Sequence, residues 1–90
     1  MRNRHATNQF KRDVKRAERS GSCTLEELDE IIHMLRADMP LPARLRDHPL
    51  KGEWTSKRDC HVKPDLVLIY MKTPGELHLY RLGSHSELFG

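Results

Sequence analysis

Six consecutive apolar residues, Leu66-Val-Leu-Ile-Tyr-Met71, constrain the fold more than any other feature of this chain. A half-exposed strand alternates apolar with polar residues. One that is apolar at every position needs cover on both faces. The run is far shorter than the roughly 20 residues that cross a bilayer as a helix, so no membrane span is expected. Lys63-Pro64-Asp65 and Thr73-Pro74-Gly75, on its two flanks, are turn chemistry. The run is therefore predicted to be a central strand. Trp54–Val62 and Glu76–Leu82 read as its antiparallel neighbours. In the last strand, alternation sets Tyr80 and Leu82 on one face, and Leu77 and Leu79 on the other.

Two helices are predicted upstream. The first runs from Thr7 or Asn8 to about Arg19, with Phe10, Val14 and Ala17 on one face and Ser20-Gly21 ending it. The second opens on the capping box Thr24-Leu-Glu-Glu27 and repeats Leu25, Leu28, Ile31, Ile32, Leu35 and Met39 at helical spacing. Glu26, Glu27, Asp29 and Glu30 suit its N-terminal dipole, so they need no catalytic role. Pro40 and Pro42 are expected to stop this helix and open a loop through Gly52. Residues 1–6 are compatible with a short edge strand. The fold class is therefore α+β: a short N-terminal strand and a two-helix hairpin packed on an antiparallel sheet, one domain over residues 1–90. A hydrophobic share of 37% supports one modest core at this length. Two cysteines, Cys23 and Cys60, are too few for a disulfide scaffold, and the basic N-terminus has no apolar stretch behind it. A reducing, cytoplasmic setting is expected.

The stretch Asp59-Cys-His-Val-Lys-Pro-Asp65 sits directly before the central strand. Period two on Trp54–Val62 sends Trp54, Cys60 and Val62 towards the helices, and leaves Asp59, His61 and Lys63 together on the open face. Asp65, in the turn, can reach the same surface. His48, in the long loop, and His85, near the end, add two more imidazoles, the side chains best suited to move protons near neutral pH. His5, His33 and His78 have no motif around them and read as surface residues. Residues 1–22 carry seven Lys/Arg against two acids, and residues 39–63 six against three. Two basic blocks flank an acidic one, which suits a polyanion-facing surface.

The runs DHPLKGEW, RDCHVKPD with LVLIY, and RLGSHSELF occur in this order from Asp47 to Phe89. Together they closely resemble the YafQ branch of the RelE/ParE superfamily of bacterial toxins. The resemblance implies a RelE-like fold and a ribosome-dependent mRNA endonuclease of a type II toxin–antitoxin module. It carries function onto His48, Asp59, His61, Asp65, His85 and Phe89. Two positions depart from the pattern: Lys57, where relatives often have an aromatic, and Leu66, where they often have Trp. The implied partners are the ribosome, mRNA and a cognate antitoxin. Operator DNA would be bound only through the antitoxin complex.

Cutting RNA without a metal or other cofactor requires a base for the ribose 2′-OH, positive charge for the phosphorane, and an acid for the departing 5′-oxygen. His48, His61 and His85 with Asp65 can move the protons. Lys63, Arg58 or Arg81 can supply charge, Asp59 can orient an imidazole, and Phe89 can stack on a base. A metal site from His48, Cys60, His61 and His85 matches no common zinc spacing. A non-catalytic ParE-like toxin, or a module that only binds RNA or the ribosome, is the alternative. The His/Asp set favours the nuclease.

Overall fold

The computed structural model describes residues 1–90. Its five strands are β1 (Asn3–Ala6), β2 (His48–Pro49), β3 (Arg58–Lys63), β4 (Leu66–Thr73) and β5 (Glu76–Gly83). They form one sheet in the order β1-β5-β4-β3-β2. β1 runs parallel to β5, and every other pairing is antiparallel. The sheet is thus mixed, where an antiparallel one was expected. The hairpins β3–β4 and β4–β5 must be antiparallel, but β1 is joined to the rest through helices, and such a crossover permits parallel pairing.

Helix α1 (Asn8–Ser20) begins where the Thr7 hydroxyl accepts from the Phe10 N–H at 2.9 Å, and ends at Gly21 in the left-handed region, φ 74°. Helix α2 (Leu25–Arg36) begins on the expected capping box, with bonds of 2.9 and 3.1 Å. It stops at Arg36, short of Met39, which is exposed. The terminator is Asp38 (φ 55°), not Pro40. The carboxylate of Asp38 takes Arg2 at 2.9 Å and Lys72 at 2.8 Å, tying the helix end to the sheet.

Both helices lie on one face, where Phe10, Leu28, Ile32 and Leu35 pack against Cys60, Leu68, Tyr70 and Leu79. On the other face Val67 and Ile69 are covered by Leu88 of a short third helix, α3 (His85–Phe89), and by Leu50, Trp54 and Tyr80. The central strand is therefore covered on both sides, and no residue from Leu66 to Tyr70 is more than 6% exposed. Each of those side chains stabilises the fold by roughly 1.5–3 kcal/mol. Both cysteines are buried and free, and burial pushes the Cys60 thiol up to about 12.

Three sequence expectations fail here. Trp54 is not on a strand: it closes a 3-10 turn, Gly52–Trp54, and packs on the face away from the helices. A bulge between Ile69 and Tyr70 shifts β5 by one residue, so Leu82 joins Leu77 and Leu79 in the helix-side core instead of sharing a face with Tyr80. A second irregularity, between His61 and Lys63, turns Lys63 to Glu27 of α2. Each extra residue reverses the side from which the following side chains project.

Candidate active site

Pairing across the sheet assembles the site. β2 sets His48 opposite Asp59, β3 sets His61 opposite Val67, and Val67 pairs with Gly83. From Gly83 the chain folds back into α3, started by a capping box between Ser84 and Glu87. A Cβ on Gly83 would lie 3.2 Å from Glu87 Oε1 and 3.3 Å from Leu88 Cδ2, so α3 packs closely over the end of β5 and a side chain there would push those two tips aside by a few tenths of an ångström. The return delivers His85 beside His61, and Phe89 beside His85. The ring centroids of His48 and His61 are 6.4 Å apart, those of His61 and His85 5.1 Å, and those of His85 and Phe89 6.2 Å. Phe89, 43% exposed, meets Trp54 edge to face at 6.5 Å.

All three imidazoles are held through the same nitrogen. His48 Nδ1 lies 2.7 Å from the Arg46 carbonyl, His61 Nδ1 3.4 Å from the Pro64 carbonyl, and His85 Nδ1 2.8 Å from Asp65 Oδ1. A carbonyl can only accept, so Nδ1 of His48 and His61 carries the hydrogen and Nε2 keeps its lone pair in the neutral ring. Arg46 aims its carbonyl by adopting the left-handed region, φ 49°. Asp65 also accepts the His85 backbone N–H at 3.1 Å. The hydrogen bond from His85 holds its carboxyl below the usual carboxylate range.

Asp59 stands on the expected face but is only 3% exposed. Its Oδ1 is 3.0 Å from His48 Nδ1, yet it has no hydrogen bond, because that N–H is directed at Arg46. Burial pushes the carboxyl up, against the opposing pull of His48, His61 and His85. The other buried polar atom without a partner is Trp54 Nε1, in the cover over the same face. Unpaired buried groups are rare, and both of these belong to this side of the sheet.

The three cations expected at the site are each held in an ion pair with a carboxylate. Lys63 pairs with Glu27, as described. Arg58 belongs to the helix-facing set of β3 and forks onto Asp47 at 3.1 and 3.3 Å. Arg81 donates to the fully buried Asp13 of α1 at 2.8 Å. The cations that do come close were not singled out. Arg44 and Arg46 line a groove of ≈ 620 Å³ together with His61, Lys63, Glu27 and Glu30. Their signal was legible as the basic pair Arg-Leu-Arg directly before Asp47-His48. No group of three or more His, Cys, Asp or Glu side chains is placed to hold a metal ion.

Residues 2–90 match the family of bacterial toxins of type II toxin–antitoxin systems known as YafQ. The chain belongs to the YafQ family. It is 41% identical over 83 residues to the mRNA interferase toxin YafQ of Escherichia coli strain K12, covering 91% of this chain and 89% of that protein. The crystal structure of the E. coli DinJ–YafQ complex superposes with a TM-score of 0.88 at 38% identity, over the whole of both chains. A metal-bound toxin from Helicobacter pylori gives 0.92 at 40% identity, over 99% of this chain and 100% of that one. The α+β architecture is therefore that of solved YafQ toxins, and the three histidines lie on the open face of that fold.

Proposed function

We propose that this YafQ-family toxin is an endoribonuclease that cuts mRNA on the ribosome by imidazole acid–base catalysis. The observation that carries the reading is the shared Nδ1 tether, which leaves Nε2 of His48, His61 and His85 free on one face. His61, held by a neutral carbonyl, removes the proton of a ribose 2′-OH. The 2′-oxygen attacks the adjacent phosphorus, and the bond to the 5′-oxygen of the next nucleotide breaks. His85, for which Asp65 supplies the counter-charge when the ring is protonated, gives its proton to that oxygen. The products are a 2′,3′-cyclic phosphate and a 5′-hydroxyl. His48 and Arg46 supply positive charge for the phosphorane, in place of the three cations already paired with carboxylates. Phe89 stacks on a base beside the scissile phosphate.

A growth-stopping nuclease has to be restrained. As DinJ accompanies YafQ in E. coli, this chain is proposed to be held by a cognate antitoxin, and to meet operator DNA only through it. The test is purified protein with programmed ribosomes, in the presence and absence of a chelator. Cleavage that survives chelation and leaves a 5′-hydroxyl is expected. Loss of cleavage on chelation, or a 5′-phosphate, overturns the mechanism, and the metal-bound H. pylori relative makes the chelator arm decisive.

A further inference from the structure

On the same open face, beyond the histidine cluster, lies a row of ring faces that the catalytic reading does not use. His5 of β1 is in register with His78 of β5, and the two rings stack at 5.2 Å with planes 17° apart. His78 is followed along the strand by Tyr80, at 6.4 Å and 24°. The ammonium of Lys57 lies 4.7 Å above the Tyr80 ring. Tyr80 and Trp54 pack on the same apolar patch of Val67, Ile69 and Leu88, and Trp54 meets Phe89. That patch therefore links the Phe89–Trp54 pair to the Tyr80–His78 pair. His78 pairs with Met71 and His61 with Val67, so His78 lies four residues along β4 from the level of the histidine cluster, about 13 Å at 3.3–3.4 Å per residue.

We propose that this row is a second stacking platform for the RNA strand, on which bases flanking the scissile bond lie on Tyr80 and His78 while Lys57 takes a phosphate. The inference rests on the nuclease reading and extends it to where the flanking strand runs. Three properties favour single-stranded nucleic acid as the occupant. Half-exposed rings spaced along an open sheet offer stacking faces that suit any base. Lys57, resting on a ring without a carboxylate partner, can turn to a backbone phosphate. The row is also continuous with the site where the same strand is cut. Glu76, bonded to His5 at 2.5 Å, sets a negative charge at the far edge and ends the platform at His78.

The test is cleavage of ribosome-bound mRNAs carrying a single abasic nucleotide at successive positions on either side of the cleaved bond. With the wild type, one or two flanking positions that are not adjacent to the bond should lower kcat/KM by about 5- to 150-fold, the range of one lost base stack. Tyr80→Leu/His78→Leu keeps apolar cover but removes both ring faces. It should cut the intact message correspondingly more slowly and be indifferent to those abasic positions. Tyr80→Phe should retain the sensitivity, with melting temperatures checking that every variant is folded. Equal sensitivity in wild type and double variant refutes the platform and leaves the nuclease reading standing. Failure of the wild type to cut any message overturns both.

Discussion

Replacing Asp59 by Asn should stabilise the fold and weaken catalysis together. The carboxylate is 3% exposed, its Oδ1 has no hydrogen bond, and burial holds its pKa above the ordinary value. A buried acceptor left unbonded costs about 1–3 kcal/mol, more when charged. The Asn amide fills the same volume without the charge but still leaves one polar atom without a partner, so the lower end, about 1 kcal/mol, is the expected gain. In a domain of this size that raises Tm by roughly 4–8 °C near neutral pH. Because the folded-state pKa is raised, the stability Asp59 contributes is present below its unfolded pKa, about 3.9. It is lost as pH rises through the folded value. The advantage of Asp59→Asn should therefore vanish in acid and grow towards neutrality. Thermal melts at stepped pH read the stability, and cleavage of ribosome-bound mRNA should fall as His48 loses its anionic neighbour. A variant less stable than wild type at neutral pH would refute the reasoning, since the carboxylate would then be a satisfied structural group.

His48→Ala, His61→Ala and His85→Ala should each slow cleavage by roughly 10²–10⁴-fold with little change in melting temperature, and the triple variant should lose far less than the product of the three, measured as single-turnover rates. Phe89→Ala should slow cleavage by about 5- to 150-fold through one lost stack while keeping its fold by circular dichroism. Asp13→Asn should destabilise by about 2–3 kcal/mol, because the buried carboxylate accepts from Arg81, Arg16, Gln9 and the Leu82 N–H. Burial pushes the Asp13 carboxyl up, but these bonds more than offset it and hold it low. Its contribution is thus present above the unfolded pKa, and the Tm gap to wild type should close as pH falls through the depressed folded value.

The apolar run Leu66–Met71 and the capping box at Thr24 were legible because each depends on neighbours a few residues away. His48 and His85, in a loop and near the chain end, were legible only through residue type and motif, and their convergence on the open face depends on pairing and on the return into α3. Asp59 and His61 were legible as one face because period two holds wherever a strand is regular. Lys63 and Leu82 were misplaced for the converse reason. Each follows an extra residue in the ladder, and no local composition announces a bulge that tertiary packing imposes. Trp54 was read onto a strand because apolar residues favour strands, yet Gly52 at φ 68° starts a turn there instead. Asp13 escaped notice because a carboxylate on a helix is ordinarily solvated. Only the fold brings the Leu82 N–H and Arg81 to it, 69 and 68 positions along the chain.

Because each ring is anchored by one nitrogen and works with the other, each histidine divides into two halves that different amides imitate. An Asn side chain reaches about as far as Nδ1 and can keep the inner bond to Arg46, Pro64 or Asp65. A Gln side chain reaches about as far as Nε2 and can touch the substrate without accepting or delivering a proton at neutral pH. His61→Asn would thus preserve the architecture of the β3–β4 turn and leave a hole where the base should be. His61→Gln would fill that hole with an inert group and give up the bond to Pro64. The tether makes the site readable from two directions, with substrate affinity following the outer half of each ring and the order of its surrounding loop following the inner half.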